Sequence, residues 1–234
     1  MSTRPYIALH MLTSINGKIT GDFLSSDTGN LLCEEYYRIN REYKSDGFIC
    51  GRITIEGSFT GGRAPDLEGL QPSSYEDYIV ASHDYYAISI DPHGRLGWED
   101  CIIHDSDPGY DNAHVVEILT EDIDARYPTY LKNLGISYLF CGKDKIDAKL
   151  LLEKLSKNFK IKFLLLEGGG LTDTLFLEAG LIDEMSIVVA PIIESGENAI
   201  DLFSKASSPF VEYQLANTKT LKNGGLWLNY KKRT

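Results

Sequence analysis

The chain has 234 residues, 43% of them hydrophobic, which is ample for a sizeable core, and its regular mixing of strand-like and helix-like segments predicts a single α/β domain over residues 1–234. Its 23 Lys and Arg against 34 Asp and Glu leave a net charge of −11, which argues against nucleic acid or an anionic membrane as main partner. An anionic ligand would need a locally prepared site. No apolar run approaches the ~20 residues of a membrane span, and the polar start Met1-Ser2-Thr3-Arg4 lacks a signal peptide's apolar core, so the expectation is a soluble cytoplasmic protein.

Cys33, Cys50, Cys101 and Cys141 lie far apart without CxxC pairing, which predicts free, mostly buried thiols. The histidines form neither HExxH nor the H-x-E and PCxxC pattern of a zinc deaminase, so no metal is expected.

In chain order, Tyr6 to Leu12 is an apolar run of strand length, followed by a bend at Thr13-Ser14-Ile15-Asn16-Gly17 and a second short strand near Lys18-Ile19. The polar groups of Thr13, Ser14 and Asn16 either line a pocket at the strand end or build an ordinary turn. From Asn30 to Tyr43, apolar residues at Leu32, Tyr36, Ile39 and Tyr43 keep helical spacing, which predicts an amphipathic helix capped by Asn30. Gly47 to Gly51 reads as a short buried strand, and Arg52 to Glu56 as a helix start in which Thr54 either meets a ligand or caps the helix. The Gly- and Pro-rich stretch Gly57 to Tyr78 predicts a long irregular loop, either a lid bearing Arg63 and Asp66 or a surface excursion.

Strands are expected at Tyr85 to Ile90, Cys101 to His104 and Val115 to Leu119, with a turn at Asp91 to Arg95. Asp124 to Leu134 reads as a helix ended by Gly135. Ser137 to Cys141 is a further strand, and Asp147 caps a helix that buries Ala148, Leu151, Leu152 and Leu155. The continuous apolar run Phe163 to Leu166 predicts a strand buried on both faces, and Glu167-Gly168-Gly169-Gly170 its exit into a helix. That helix would carry Thr172 as N-cap and bury Leu171, Leu175, Phe176 and Ala179. Three strand–glycine junctions, near Gly51, Gly142 and Gly168, imply adjacent parallel strands with their glycine ends on one sheet edge.

Met185 to Ala190 reads as a strand, residues 194–208 as a loop with a helical turn around Ala199 to Phe203, and Val211 to Leu221 with Leu226 to Tyr230 as an antiparallel hairpin. The elements predict a three-layer α/β/α fold with a mixed, mostly parallel central sheet. The glycine turn is either a phosphate cradle at a helix N-terminus or a tight connection, since neither G-x-G-x-x-G nor a P-loop motif occurs.

Glu167-Gly168-Gly169-Gly170, Phe176 to Glu184 and Ala190-Pro191 resemble the E-G-G, L-x-x-G-L-[IV]-D-E and A-P signatures of the riboflavin-biosynthesis reductase domain, a family with the dihydrofolate reductase-like fold. Ser14 to Ile19 is similar to its S-L-D-G-K-I segment, Asp46 to Thr54 to its D-A-[IVL]-x-x-G-x-x-T segment, and Asp91 to Leu96 to its D-x-x-x-R-[LV] turn. The resemblance implies a homodimeric, NADPH-dependent reductase that transfers hydride to a small heterocycle, a ribosylaminopyrimidine phosphate in the riboflavin case. It places Gly51, Thr54, Arg95, Gly168, Gly169, Gly170 and Thr172 against the cofactor, Arg95 near its 2′-phosphate. Thr13, Ser14, Asn16 and Glu167 would face the substrate, with Asn16 and Glu167 the catalytic pair and burial raising the Glu167 pKa for proton donation. Asn16 stands where the family has aspartate, which keeps shape but cannot ionise. No deaminase half is expected ahead of the domain. The alternatives are a pterin reductase, or a nucleotide-binding protein of the same fold without catalysis.

Overall fold

The computed structural model describes residues 4–80, 82–207 and 210–233. In chain order the elements are β1 (Tyr6–Ser14), α1 (Asp27–Tyr43), β2 (Gly47–Gly51), α2 (Arg52–Ile55), β3 (Tyr86–Ile90), β4 (His114–Leu119), α3 (Tyr127–Asn133), β5 (Ser137–Phe140), α4 (Ala148–Phe159), β6 (Phe163–Leu166), α5 (Gly170–Glu178), β7 (Glu184–Ala190), β8 (Tyr213–Thr220) and β9 (Leu226–Lys232). They fall into two compact units, residues 4–5 with 45–164 and residues 6–44 with 165–233, and β6 carries the chain from one to the other. Within the units, four strand pairs are parallel and two antiparallel, so the pairing is mixed and mostly parallel.

The first unit holds a parallel ladder in the order β5-β4-β3-β2, every residue of which is buried. Continuous apolar runs suit that position, because both faces of a parallel sheet are covered. β2 and β5 stand at opposite ends of this ladder with β3 and β4 between them, so these two glycine-ended strands are not adjacent. Their parallel direction still puts Gly51 and Gly142 on one edge. Asp46 ties the start of β2 down, accepting from the N–H groups of Lys162 and Phe163 through its carboxylate. Asp147 caps α4 as its position predicts, accepting from Lys149 and Leu150.

Two expectations in this unit fail. Residues 101–104 form no strand, only a single bridge between Ile102 and His114. Asp100, Asp105 and Asp107 bond backbone N–H groups two residues on, and such local bonds compete with a ladder. The helix read over residues 124–134 begins only at Tyr127, with Pro128 in its first turn. The irregular stretch after α2 opens with a π-type turn at Glu56–Thr60 and is tethered further on, through Gly97 N–H to the Arg63 carbonyl and the Lys154–Asp77 ion pair.

In the second unit β1 pairs parallel with β7, while β9 runs antiparallel to both β7 and β8. α1 starts earlier than its apolar spacing suggests. Ser26, not Asn30, is its N-cap and accepts from Gly29 N–H, whereas Asn30 bonds back to the Ser25 carbonyl. Leu32 and Ile39 then pack with Leu12, Phe23, Val188, Ala190 and Leu221 in one core cluster. The expected second strand near Lys18 is a lone bridge to Asp201, and residues 197–205 form turns rather than a helix. Ser208 lies outside the described residues. The thiols are free, Cys50 and Cys141 buried and Cys33 and Cys101 half-buried.

Candidate active site

The glycine turn leaves β6 with Glu167 at its lip. The Glu167 side chain is 5% exposed, and its Oε1 accepts a 2.6 Å hydrogen bond from Asn40 Nδ2 of α1. Gly168 takes φ +86, the left-handed region that favours glycine, and a Cβ there would lie 2.9 Å from Met11 Cε. A Cβ on Gly170 would meet the Asp201 carbonyl oxygen at 2.3 Å and Ser204 Oγ at 2.5 Å. Close approach of protein therefore accounts for glycine at both positions.

The helix start nevertheless leaves backbone donors unengaged. Gly169 is the N-cap residue of α5, and its carbonyl accepts from the N–H groups of both Thr172 and Asp173. Among the described residues, the N–H groups of Gly169, Gly170 and Leu171 donate to no acceptor. Such N–H groups at the positive end of a helix fit phosphate oxygens. Thr172 is not the cap. It is buried in the first turn, while Leu171, expected inside, is 64% exposed. The inward face is instead Thr172, Asp173, Thr174 and Phe176, and Thr174 Oγ1 bonds the carbonyls of Gly170 and Ser204.

At the end of β1 the polar residues build a turn. Ser14 Oγ donates to Asn16 Oδ1 and accepts from Lys18 N–H. Asn16 then bonds the Glu194 backbone reciprocally, Nδ2 donating to the carbonyl at 2.7 Å and Oδ1 accepting from the N–H at 3.0 Å. The Glu194 carboxylate in turn accepts from Gly196 and Phe23, and these bonds hold its carboxyl below the usual range. Ser14 and Thr13 are buried, 1% and 3% exposed.

Gly51, Thr54 and Arg95 belong to the first unit. Gly51 is the N-cap residue of the short α2, Thr54 is half-buried within it, and Arg52 pairs with Glu56. Arg95 is exposed, without an acidic partner among the described residues. Its turn is held from within. Asp91 Oδ2 accepts from the N–H groups of Arg95 and Leu96, and the neighbouring buried Glu117 accepts from Trp98 Nε1 at 3.1 Å. Burial, and the Asp91 charge beside it, push the Glu117 carboxyl well above its ordinary range.

Three residues of consequence escape the sequence patterns: Asn40, Glu194 and Asp173. Asn40 has a signal in retrospect, since it interrupts the apolar stripe of α1 on a buried position. Glu194 has none, because apart from Gly196 its bonds run to Asn16 and Phe23, far away in the chain.

The model of the RibD C-terminal domain matches residues 102–226, more than half of the chain. The chain belongs to the RibD C-terminal domain family. The match includes the glycine turn and Glu167, while Ser14, Asn16, Gly51, Thr54 and Arg95 lie before it. A 2,5-diamino-6-ribosylamino-4(3H)-pyrimidinone 5′-phosphate reductase of Aquifex aeolicus is 23% identical over 199 residues, covering 83% of this chain and 80% of that protein. A pyrimidine reductase-like protein of Corynebacterium diphtheriae shares the fold with a TM-score of 0.69 at 17% identity, over 98% of this chain and 92% of its own. RibD of Acinetobacter baumannii does so with a TM-score of 0.67 at 21% identity, over 99% of this chain and 59% of its own length.

Proposed function

We propose that this chain is an NADPH-dependent reductase acting on a ribosylaminopyrimidine phosphate. The observation that carries the reading is the buried Glu167, oriented by Asn40, directly ahead of a helix start with unengaged N–H groups, in a chain of the RibD C-terminal domain family. The substrate class follows from the likeness to the Aquifex reductase. When bound, the cofactor supplies a hydride. The N–H groups of Gly169, Gly170 and Leu171 are the donors for its pyrophosphate, and Gly51 and Thr54 are assigned to the cofactor as well. Arg95 is the residue for its 2′-phosphate, which a planar multi-donor guanidinium suits.

Glu167 has the task of orienting the substrate and delivering a proton to the nitrogen of the reduced bond. Asn40 fixes the carboxyl's orientation, which matters because proton transfer demands hydrogen-bond reach. Thr13 and Ser14 are assigned to the pocket wall, and Asn16 to holding that wall through Glu194. The protein is proposed to work as a homodimer, which light scattering at micromolar concentration checks.

The test is NADPH consumption, followed by absorbance, with the phosphorylated ribosylaminopyrimidine and with dihydrofolate. Turnover of the first and not the second is expected, and Glu167→Gln should slow single turnover by ~10²–10⁴-fold with cofactor affinity retained. No turnover of the ribosylaminopyrimidine by wild-type protein would sink the substrate assignment. Full single-turnover rate in the Gln variant would remove the proton-donor role.

A further inference from the structure

Asp173 lies in the first turn of α5 with 0% exposure, and among the described residues neither carboxyl oxygen has a hydrogen-bond partner. Its Oδ2 sits 3.6 Å from the point where a side chain on Gly168 would begin, beside the glycine turn. A buried carboxyl with no partner is costly, and ionised it is far costlier. The side chain nearest to that point on Gly168 is the apolar Met11.

We propose that Asp173 is a specificity-determining residue of the glycine-turn site, admitting a phosphate-bearing ligand at the N–H groups of residues 169–171 as a neutral acid and repelling it once ionised. The inference rests on the cofactor reading above and adds a proton to it. Burial alone pushes the Asp173 carboxyl well above the ordinary aspartate range, with no charged neighbour contributing. The acidic and basic groups around the turn are otherwise occupied. Glu167 is bonded to Asn40, Asp201 is ion-paired with Lys18 at 2.7 Å, and on β1 His10 bonds Ser186 and Tyr36. A negative charge beside the turn would oppose an incoming anion at short range and low effective dielectric.

The linkage has a definite sign. An anion near Asp173 favours its neutral form, so binding takes up a proton wherever the carboxyl of the free protein is partly ionised. Affinity is greatest at low pH and falls as pH rises through the Asp173 pKa.

Calorimetric titration with NADP⁺ between about pH 6 and about pH 9, in buffers of different ionisation heat, reads this directly. Protonation of the ligand's own phosphate is common to all variants, so the difference between wild type and Asp173→Asn isolates the residue. Wild type is expected to take up more protons than the variant and to lose affinity by a further tenfold or more at the high end. Asp173→Ser serves where Asn disturbs packing. Equal proton uptake and equal pH profiles in wild type and both variants would overturn the inference alone. Failure of wild type to bind NADP⁺ at any pH would overturn the cofactor reading and the inference with it.

Discussion

His10 shows how a polar ring can sit at the centre of β1 without charge. It is 0% exposed and stacks on Tyr36 with ring centres 4.3 Å apart. Nε2 lies 3.0 Å from the Tyr36 carbonyl and must donate, which leaves Nδ1 to accept from Ser186 Oγ; Trp227 Nε1 donates to that same hydroxyl. Burial pulls the imidazole from 6.5 down to about 4. The unfolded chain therefore binds a proton below about 6.5 that the folded protein refuses until about 4. The stability difference is fully present above the upper value and shrinks as pH falls between the two, by roughly 3 kcal/mol in total. Urea midpoints at neutral pH and near the lower value should differ more for wild type than for His10→Gln; equal differences would show that the ring titrates normally. At this same scale the sequence draws attention to Glu167, a carboxylate that closes an apolar run ahead of three glycines. It hides Asp173, because helical spacing assigns the buried positions to Leu171 and its period, whereas the small polar face Thr172-Asp173-Thr174 turns inward.

Strand positions were legible wherever the apolar run was continuous, and β2, β5 and β6 begin where their sequences predict. Helix starts were legible for α4, which Asp147 caps, but not for α1 and α5. Asn30 and Thr172 are good capping residues by type, but Ser26 and Gly169 hold the N-cap positions, because the preceding 3₁₀ turn at Asp22–Ser25 and the packing of Gly170 fix where each helix enters. The turn after β1 has the same character. Asn16 there acts as a piece of backbone, offering a donor and an acceptor to Glu194. An aspartate at this position would face the Glu194 carbonyl with an acceptor in place of the donor. Asn16→Asp should therefore lower the unfolding free energy by ~1–3 kcal/mol, the cost of leaving a part-buried acceptor unmatched. Chemical denaturation checks this, and a variant as stable as wild type would mean that the turn relaxes around an aspartate without loss.

At the scale of the whole molecule, the two units divide the predicted site residues unevenly: Thr13, Ser14, Asn16, Glu167, Gly168, Gly169, Gly170 and Thr172 belong to one, Gly51, Thr54 and Arg95 to the other. Strand neighbours were legible in the C-terminal hairpin of β8 and β9 but not in the first unit, since the order β5-β4-β3-β2 depends on crossover connections that local patterns do not encode. The net charge of −11 was legible at once and has a kinetic consequence. A ligand with several phosphate charges meets a repulsive field before it reaches any short-range donor. Salt shortens the reach of that field, to roughly 8 Å at physiological ionic strength, while hydrogen bonds from backbone N–H groups at contact are screened far less. The association rate constant of NADPH should therefore rise as salt is raised from ~20 to ~300 mM, by about two- to tenfold, with the dissociation rate changing less. Stopped-flow fluorescence measures both. A rate that falls with salt would mean that local cations such as Arg95 and Arg52 outweigh the acidic whole, and would then predict a matching loss of rate in Arg95→Ala.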